Sequence, residues 1–282
     1  MGVGNFIILG AVAGFTIFLG LPVGRLRTPS PRLSSLLSAI TIGVLLFLLW
    51  DVLSHALVPI DSALADATAG SNVAWLRFLS FVAVLFVAVT VGLLGLAGYD
   101  KWMTRWAEVG IVRSTSGGTV RDGGGLLRLA DTPSRLAFLI AVGIGLHNFS
   151  EGLAIGQSAA SGQISLAFVL VIGFGLHNAT EGFGITAPMA AQATRPSWGH
   201  LAVLGIIGGG PTVVGTLLGG VFVNDVVSLA FLALAAGSIT YVLFQLVHIA
   251  YKIGRGYMLY LGTLIGLFAG FTTDFIVTAA GI

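Results

Sequence analysis

The sequence predicts an all-α integral membrane protein of eight transmembrane helices, with spans 4 and 5 an inverted repeat and both termini outside. Three observations predict it. The chain is 282 residues long and 56% hydrophobic, with charged residues at only 9% and a mean hydropathy of +1.01. A water-soluble domain of that length cannot hide so much apolar surface. Windows of about 19 residues find apolar stretches at about 4–21, 36–58, 75–98, 136–157, 164–188, 199–222, 226–250 and 258–280. Each is long enough to cross about 30 Å of hydrocarbon as a helix.

The third observation is the placement of Lys and Arg. Arg25, Arg27 and Arg32 follow span 1, and Lys101, Arg105, Arg113, Arg121, Arg128 and Arg135 follow span 3. Arg195 follows span 5, and Lys252 and Arg255 follow span 7. These loops alternate, so they share one side, which the positive-inside rule assigns to the cytoplasm. Of the 13 basic residues only Arg77 falls elsewhere. As a lone Arg near the outer start of span 3, it is expected to pair with Asp51 or Asp274.

The whole chain reads as a single transmembrane domain, multi-pass in the cell membrane. "MGVGNFIILGAVAG" lacks a basic leader and a cleavage site and reads as the first span. The segment 99–135, with "TSGGTVRDGGG" inside it, reads as a flexible cytoplasmic loop. Cysteine is absent, which removes thiolate metal sites and disulfides. A net charge of +2 reports orientation here, with no nucleic-acid partner expected.

The residues that carry chemistry lie in a repeat. "AFLIAVGIGLHNFSEGLAIG" (137–156) aligns with "AFVLVIGFGLHNATEGFGIT" (167–186) at about half its positions. Consecutive spans run in opposite directions, so the repeat implies a pseudo-two-fold axis in the membrane plane, where transporters place substrate sites. On a helix His147 and Glu151 share a face, and Asn148 widens it; His177, Asn178 and Glu181 repeat the arrangement. Gly143 and Gly173 sit one turn before each His and remove bulk where helices approach.

A Glu at mid-bilayer costs roughly 2.5–3.5 kcal/mol on insertion scales. A divalent cation offsets that cost directly, because two carboxylates and two imidazoles make a neutral four-ligand site. Such ligands suit zinc, iron, manganese, nickel or cadmium, and the lack of thiolate argues against Cu(I). A single intramembrane His–Glu pair is as readily a packing hydrogen bond. Two copies at one spacing and matching depth favour the metal.

With "HNFSEG" on a fourth span and "HNATEG" on a fifth, the chain resembles the ZIP family of divalent metal transporters, in the branch with HN-x-x-EG on both helices. The topology of the whole chain is similar, but the specific motifs lie within about 143–186. The resemblance implies transport towards the cytoplasm by alternating access. In the family a bundle of spans 1, 4, 5 and 6 moves against the other four, usually in a homodimer. It implies that His147, Asn148, Glu151, His177, Asn178 and Glu181 line the transport site. The expected partners are a divalent metal cation, zinc foremost, and membrane lipid. The metal is substrate, and no resident cofactor is expected. Three departures stand out. Gly210 precedes Pro211 where many relatives have Glu, Gln245 stands at a "YVxxE" position, and the cytoplasmic loop has no His. One tight metal site is therefore expected between spans 4 and 5, because Glu151 and Glu181 bring only enough charge for one divalent ion.

Other polar residues complete a candidate pathway. Asp51 and His55 are an i, i+4 pair at the outer end of span 2, and Asp274 lies in the outer third of span 8. Asp61, Asp66 and Asp225 read as outer-loop acids, either a cation-concentrating mouth or the remainder once Lys and Arg are excluded. His200, Gln245 and His248 lie towards the inner side, the two histidines as exit ligands or polar anchors. Pro188 and Pro211 free the carbonyls of Gly184 and Ile207. Trp102 and Trp106 read as interfacial anchors.

No nucleotide motif appears, and no enzymatic activity is expected. The alternatives are an intramembrane metalloenzyme, or a protein whose polar motifs only lock helices. Di-iron helical sites normally use Glu-x-x-His, the reverse of the order here.

Overall fold

A computed structural model describes residues 2–25, 31–70, 72–115, 132–190, 195–221, 224–253 and 256–279. Among them all regular structure is helical. Helix α1 (Val3–Phe15) continues through a one-turn helix (Ile17–Gly20) and a 3-10 turn (Leu21–Arg25). Then come α2 (Pro31–Thr68), α3 (Asn72–Thr115), α4 (Thr132–Ala160), α5 (Ile164–Ala190), α6 (Trp198–Gly219), α7 (Asp225–Ile253) and α8 (Tyr257–Ala279). Seven of these are long and apolar enough to cross a membrane among the described residues, and the chain is a multi-pass type of protein by that measure. The eighth, α5, is a 27-residue helix packed against α1, α2, α4 and α8.

Two helices run past their expected ends. Helix α2 continues to Thr68, so Asp61 and Asp66 are exposed helical residues and not loop acids. The extension is amphipathic. Ala56, Ile60, Ala63 and Ala67 fall at helical spacing and are buried, the first three packing with Phe81 and Leu229. A polar outer face lowers mean hydropathy and hides such a segment from a hydropathy window. Helix α3 likewise runs to Thr115 and α4 begins at Thr132, so both ends of the connector expected over 99–135 are helical, and 116–131 lies outside the described residues.

Arg77 does not pair with Asp51 or Asp274. Its Nη2 lies 3.2 Å from Asp225 Oδ2, and its guanidinium sits 5.2 Å from the Phe81 ring centre. Helix α3 turns this face towards α7, where Asp225 is the first residue, whereas Asp51 and Asp274 face a cavity elsewhere.

The helices pack as two groups. Helices α1, α4, α5 and α6 associate with one another, as do α2, α3, α7 and α8. Within each group, glycines bring backbones into direct contact. A Cβ on Gly20 would collide with the α5 backbone at Ala179 and Phe183, and one on Gly215 with the α4 backbone at Phe149 and Leu153. In the other group, Gly43 abuts Thr263 and Leu267, and Gly237 abuts Val89 and Leu93. Gly92 meets Leu234 and Ser238, and Gly266 meets Ile40 and Val44. Between the groups the glycine contacts are looser: Gly143 to Ser238 Cβ at 3.6 Å and Gly184 to Thr41 Cγ2 at 3.5 Å, ordinary van der Waals distances.

These contacts obey one rule of numbering. Gly20 and Gly215 differ by 195 in number, and their partners on α5 and α4 differ by 30. The offset of 195 also converts Gly10 with Val213 and Thr216 into Gly205 with Phe18 and Leu21. Offsets of 194 from α2 to α7 and 174 from α3 to α8 interconvert the four contacts of the second group. The repeat seen between α4 and α5 thus extends over all eight helices. It superposes α1 on α6, α2 on α7 and α3 on α8, and exchanges α4 with α5. Helices α4 and α5 are joined by residues 161–163 alone, with Gly162 at φ +83°, and so run antiparallel.

Gly20→Ala and Gly215→Ala should each lower stability by roughly 1–3 kcal/mol through overpacking, read as thermal unfolding in detergent. Gly98→Ala, with open space at its Cβ, should be neutral or slightly stabilising. Arg77→Ala should change stability by no more than about 1 kcal/mol, because both partners of its ion pair are about half exposed. A large loss of stability in that variant would show that the pair is a structural lock.

Candidate metal pathway

The first motif is well packed. On α4, His147 is 2% exposed, Asn148 0% and Glu151 5%. His147 Nε2 lies 3.1 Å from Glu151 Oε1, the contact expected for an i, i+4 pair on one face. On α5, Asn178 and Glu181 are equally buried, at 0% and 1%. His177 lies on the same helix, and its side chain is outside the described residues. Among the described residues no three His, Asp or Glu side chains converge as a ligand set, and of the expected quartet the contact seen is that of His147 with Glu151.

The asparagines do the same thing twice. Asn148 Nδ2 donates to the Gly208 carbonyl of α6 at 3.0 Å, and Asn178 Nδ2 donates to the Ala13 carbonyl of α1 at 3.0 Å. The offsets of 30 and 195 turn one bond into the other. Each acceptor lies three residues before an irregularity. Ala13 precedes the break at Thr16, whose hydroxyl also donates to it at 2.6 Å, and Gly208 precedes Pro211. Because a carbonyl only accepts, the atom facing it must be the amide nitrogen. That leaves the oxygen of each amide on the other side. Neither Asn148 Oδ1 nor Asn178 Oδ1 has a hydrogen-bond partner among the described residues. A buried neutral oxygen of this kind fits a cation or its bound water. The asparagines therefore tie helices together with one end and leave a buried oxygen without a hydrogen-bond partner at the other.

One cavity reaches this region. It holds about 160 Å³ and is lined by Asp51 and His55 of α2, Glu151 of α4, Gly173 of α5 and Asp274 of α8, among others. Asp51 and His55, one turn apart on α2, and Asp274 of α8 thus share a chamber with the motif glutamate. His55 Nδ1 is 3.4 Å from Asp51 Oδ1. From the chamber, Glu151 leads to His147, one helical turn deeper.

The inner candidates divide. Gln245 Nε2 donates to Tyr241 Oη at 2.8 Å, and Tyr241 Oη donates to Asp100 Oδ2 at 2.6 Å. Asp100 also pairs with Arg135 Nε at 2.7 Å. Asp100, Tyr241 and Arg135 were not apparent as pathway residues, since hydropathy put two of them in a loop. His200 is buried in the first turn of α6, where its backbone N–H is capped by Ser197 Oγ at 3.1 Å, and His248 is exposed on α7. Neither joins a ligand group among the described residues. The Ile207 carbonyl that Pro211 frees packs on Gly145 of α4. Trp102 is exposed and stacked on Tyr99 with ring centres 5.7 Å apart, while the Trp106 side chain lies outside the described residues.

Compared with known proteins, the chain matches no family model and no curated sequence.

Replacing Asn148 by Asp should separate its two roles. A carboxylate would face the Gly208 carbonyl without a proton to donate, so stability should fall by about 1–3 kcal/mol even with no metal present. Thermal unfolding in chelator reads this directly. An unchanged melting temperature would mean that the amide bond to α6 contributes nothing.

Proposed function

We propose that this protein moves divalent metal cations, zinc foremost, across a cell membrane towards the cytoplasm. On this reading all eight helices span, the termini face outwards, and the end bearing Lys101, Arg105 and Arg135 faces the cytoplasm. The observation that carries the proposal is the single chamber joining Asp51, His55 and Asp274 to buried Glu151, with His147 at 3.1 Å behind it. A cation entering there passes from two carboxylates to a third without leaving oxygen or nitrogen ligands. Each handover replaces part of a hydration shell by groups that suit a borderline ion.

The motif resemblance to ZIP transporters points the same way, as does the inverted repeat, an architecture that supports alternating access. The metal is cargo. His147, Glu151 and the outward oxygen of Asn148 would hold it first, and Glu181 and Asn178 stand at the related positions on α5. Glu151 and Glu181 together neutralise one divalent ion, so one tight site is proposed, within a membrane protein that works as a homodimer. A metalloenzyme reading has less behind it, since no separate acid on α4 or α5 stands ready as a catalytic base.

The test is uptake of Zn²⁺ into proteoliposomes loaded with a fluorescent chelator. Glu151→Ala and Glu181→Ala should each reduce uptake to the level of empty liposomes while inserting normally. Near-wild-type uptake by either variant at equal reconstitution would overturn the proposal.

A further inference from the structure

The internal symmetry assigns every residue of the outer chamber a counterpart at the other end of the bundle. An offset of 194 takes Phe47 and Asp51 to Tyr241 and Gln245. An offset of 174 takes Asp274 back to Asp100, and the motif offset of 30 takes Glu151 to Glu181. The polar network of Asp100, Tyr241 and Gln245 is therefore the image of Asp274, Phe47 and Asp51, which line the chamber.

The two ends differ in state. Outside, the positions form an open chamber. Inside, the images of Leu170 and Phe174, which are Ile140 and Ile144, are 1% exposed and packed in the same core cluster as Tyr241. Asp100 is occupied by Tyr241 at 2.6 Å and Arg135 at 2.7 Å. Here the symmetry is broken in sequence, for the counterpart of Arg135 is Ser165. The chain thus supplies its own cation to the inner acid and none to the outer pair from that position. The ion pair also joins the two helix groups. Arg135 is on α4 of one group, and Asp100, Tyr241 and Gln245 are on α3 and α7 of the other. The Arg135 and Asp100 side chains are 16% and 18% exposed, so the pair is shielded more than a surface bridge.

We propose that Asp100, Tyr241 and Gln245 form the inner exit point for the cation, and that Arg135 sits in that point and seals it while the outer chamber is open. Sliding of one group against the other withdraws Arg135 and unpacks Ile140, and the Asp100 carboxylate, with Gln245 and Glu181, then takes the place that Asp274, Asp51 and Glu151 hold now. Arg135 and the departing metal ion are alternatives at one carboxylate, so the seal reforms as the ion leaves. This rests on the transport reading for the identity of the ion. The seal itself is testable without transport.

The chain contains no cysteine, so single cysteines report without background. Leu170→Cys probes the chamber and Ile140→Cys its buried counterpart, in reconstituted full-length protein treated with N-ethylmaleimide. Adding Arg135→Gln should speed modification at Ile140→Cys by roughly tenfold, a population shift of about 1.4 kcal/mol, and slow it at Leu170→Cys. Arg135→Lys should stay near the parent rates. General loosening of the fold would speed both sites, and that result, or an unchanged rate at Ile140→Cys, would overturn the seal. For the exit point, calorimetric titration with ZnCl2 of the cysteine-free Arg135→Gln protein should show binding beyond that of the wild type, lost on adding Asp100→Asn. Equal binding in all three proteins would overturn the exit assignment. If the labelling shifts appear while proteoliposomes take up no metal, the seal stands and the transport reading falls.

Discussion

Carboxyl groups that are 5% and 1% exposed in a bundle of apolar helices are the constraint from which the rest follows. A charge taken from water into such surroundings costs several kcal/mol unless it is matched. Around Glu151 the matching is local: an imidazole one turn away, an asparagine beside it, and a small chamber that leads to further polar groups. Around Asp100 it is an arginine and a tyrosine. The buried acids Glu151 and Glu181 and the shielded Asp100 thus sit at positions that the internal symmetry relates to one another or to the chamber.

What holds those positions is largely backbone. Glycines on α1, α4, α5 and α6 let carbonyls and Cα atoms touch across helices, and the same holds in α2, α3, α7 and α8. In lipid, association has no hydrophobic drive, so close packing and weak Cα–H···O contacts carry it. The motif asparagines add one bond each from α4 to α6 and from α5 to α1. Both bonds stay inside one helix group. The groups are thus fastened internally and meet each other through side chains at ordinary contact distances.

Much of this was legible in the sequence where chemistry and pattern coincide. The doubled HN-x-x-EG motif marked the buried residues, and the spacing of Asp51 and His55 on α2 marked the chamber. Other parts were not legible for stated physical reasons. The amphipathic end of α2 dilutes its hydropathy with Asp61 and Asp66. Asp100 looks like a loop acid beside Lys101 until α3 is seen to run on to Thr115. Arg77 was sent to the wrong partner because sequence gives the depth of a residue in a span and not the face it takes. The wider symmetry escaped too, since between α2 and α7, or α3 and α8, it survives in glycine positions and backbone contacts more than in side chains.

That survival indicates what the fold preserves. If the symmetry served only to close-pack helices, the polar positions would have drifted freely while the glycines stayed. Instead Asp274 answers to Asp100 and Glu151 to Glu181, acid for acid, while Asp51 answers to Gln245, polar for polar. Three related positions differ in chemistry: Phe47 against Tyr241, whose hydroxyl holds Asp100, Ser165 against Arg135, and His55 against Ile249. A perfectly symmetric bundle would favour neither end. On the proposed reading, the Tyr241 hydroxyl and the Arg135 charge act only at the Asp100 end, so they would bias the resting molecule outward while the carboxylates related by the symmetry stay in place. A ligand that binds both ends equally cannot move such an equilibrium, and so the bias must come from residues like these, which the symmetry does not repeat.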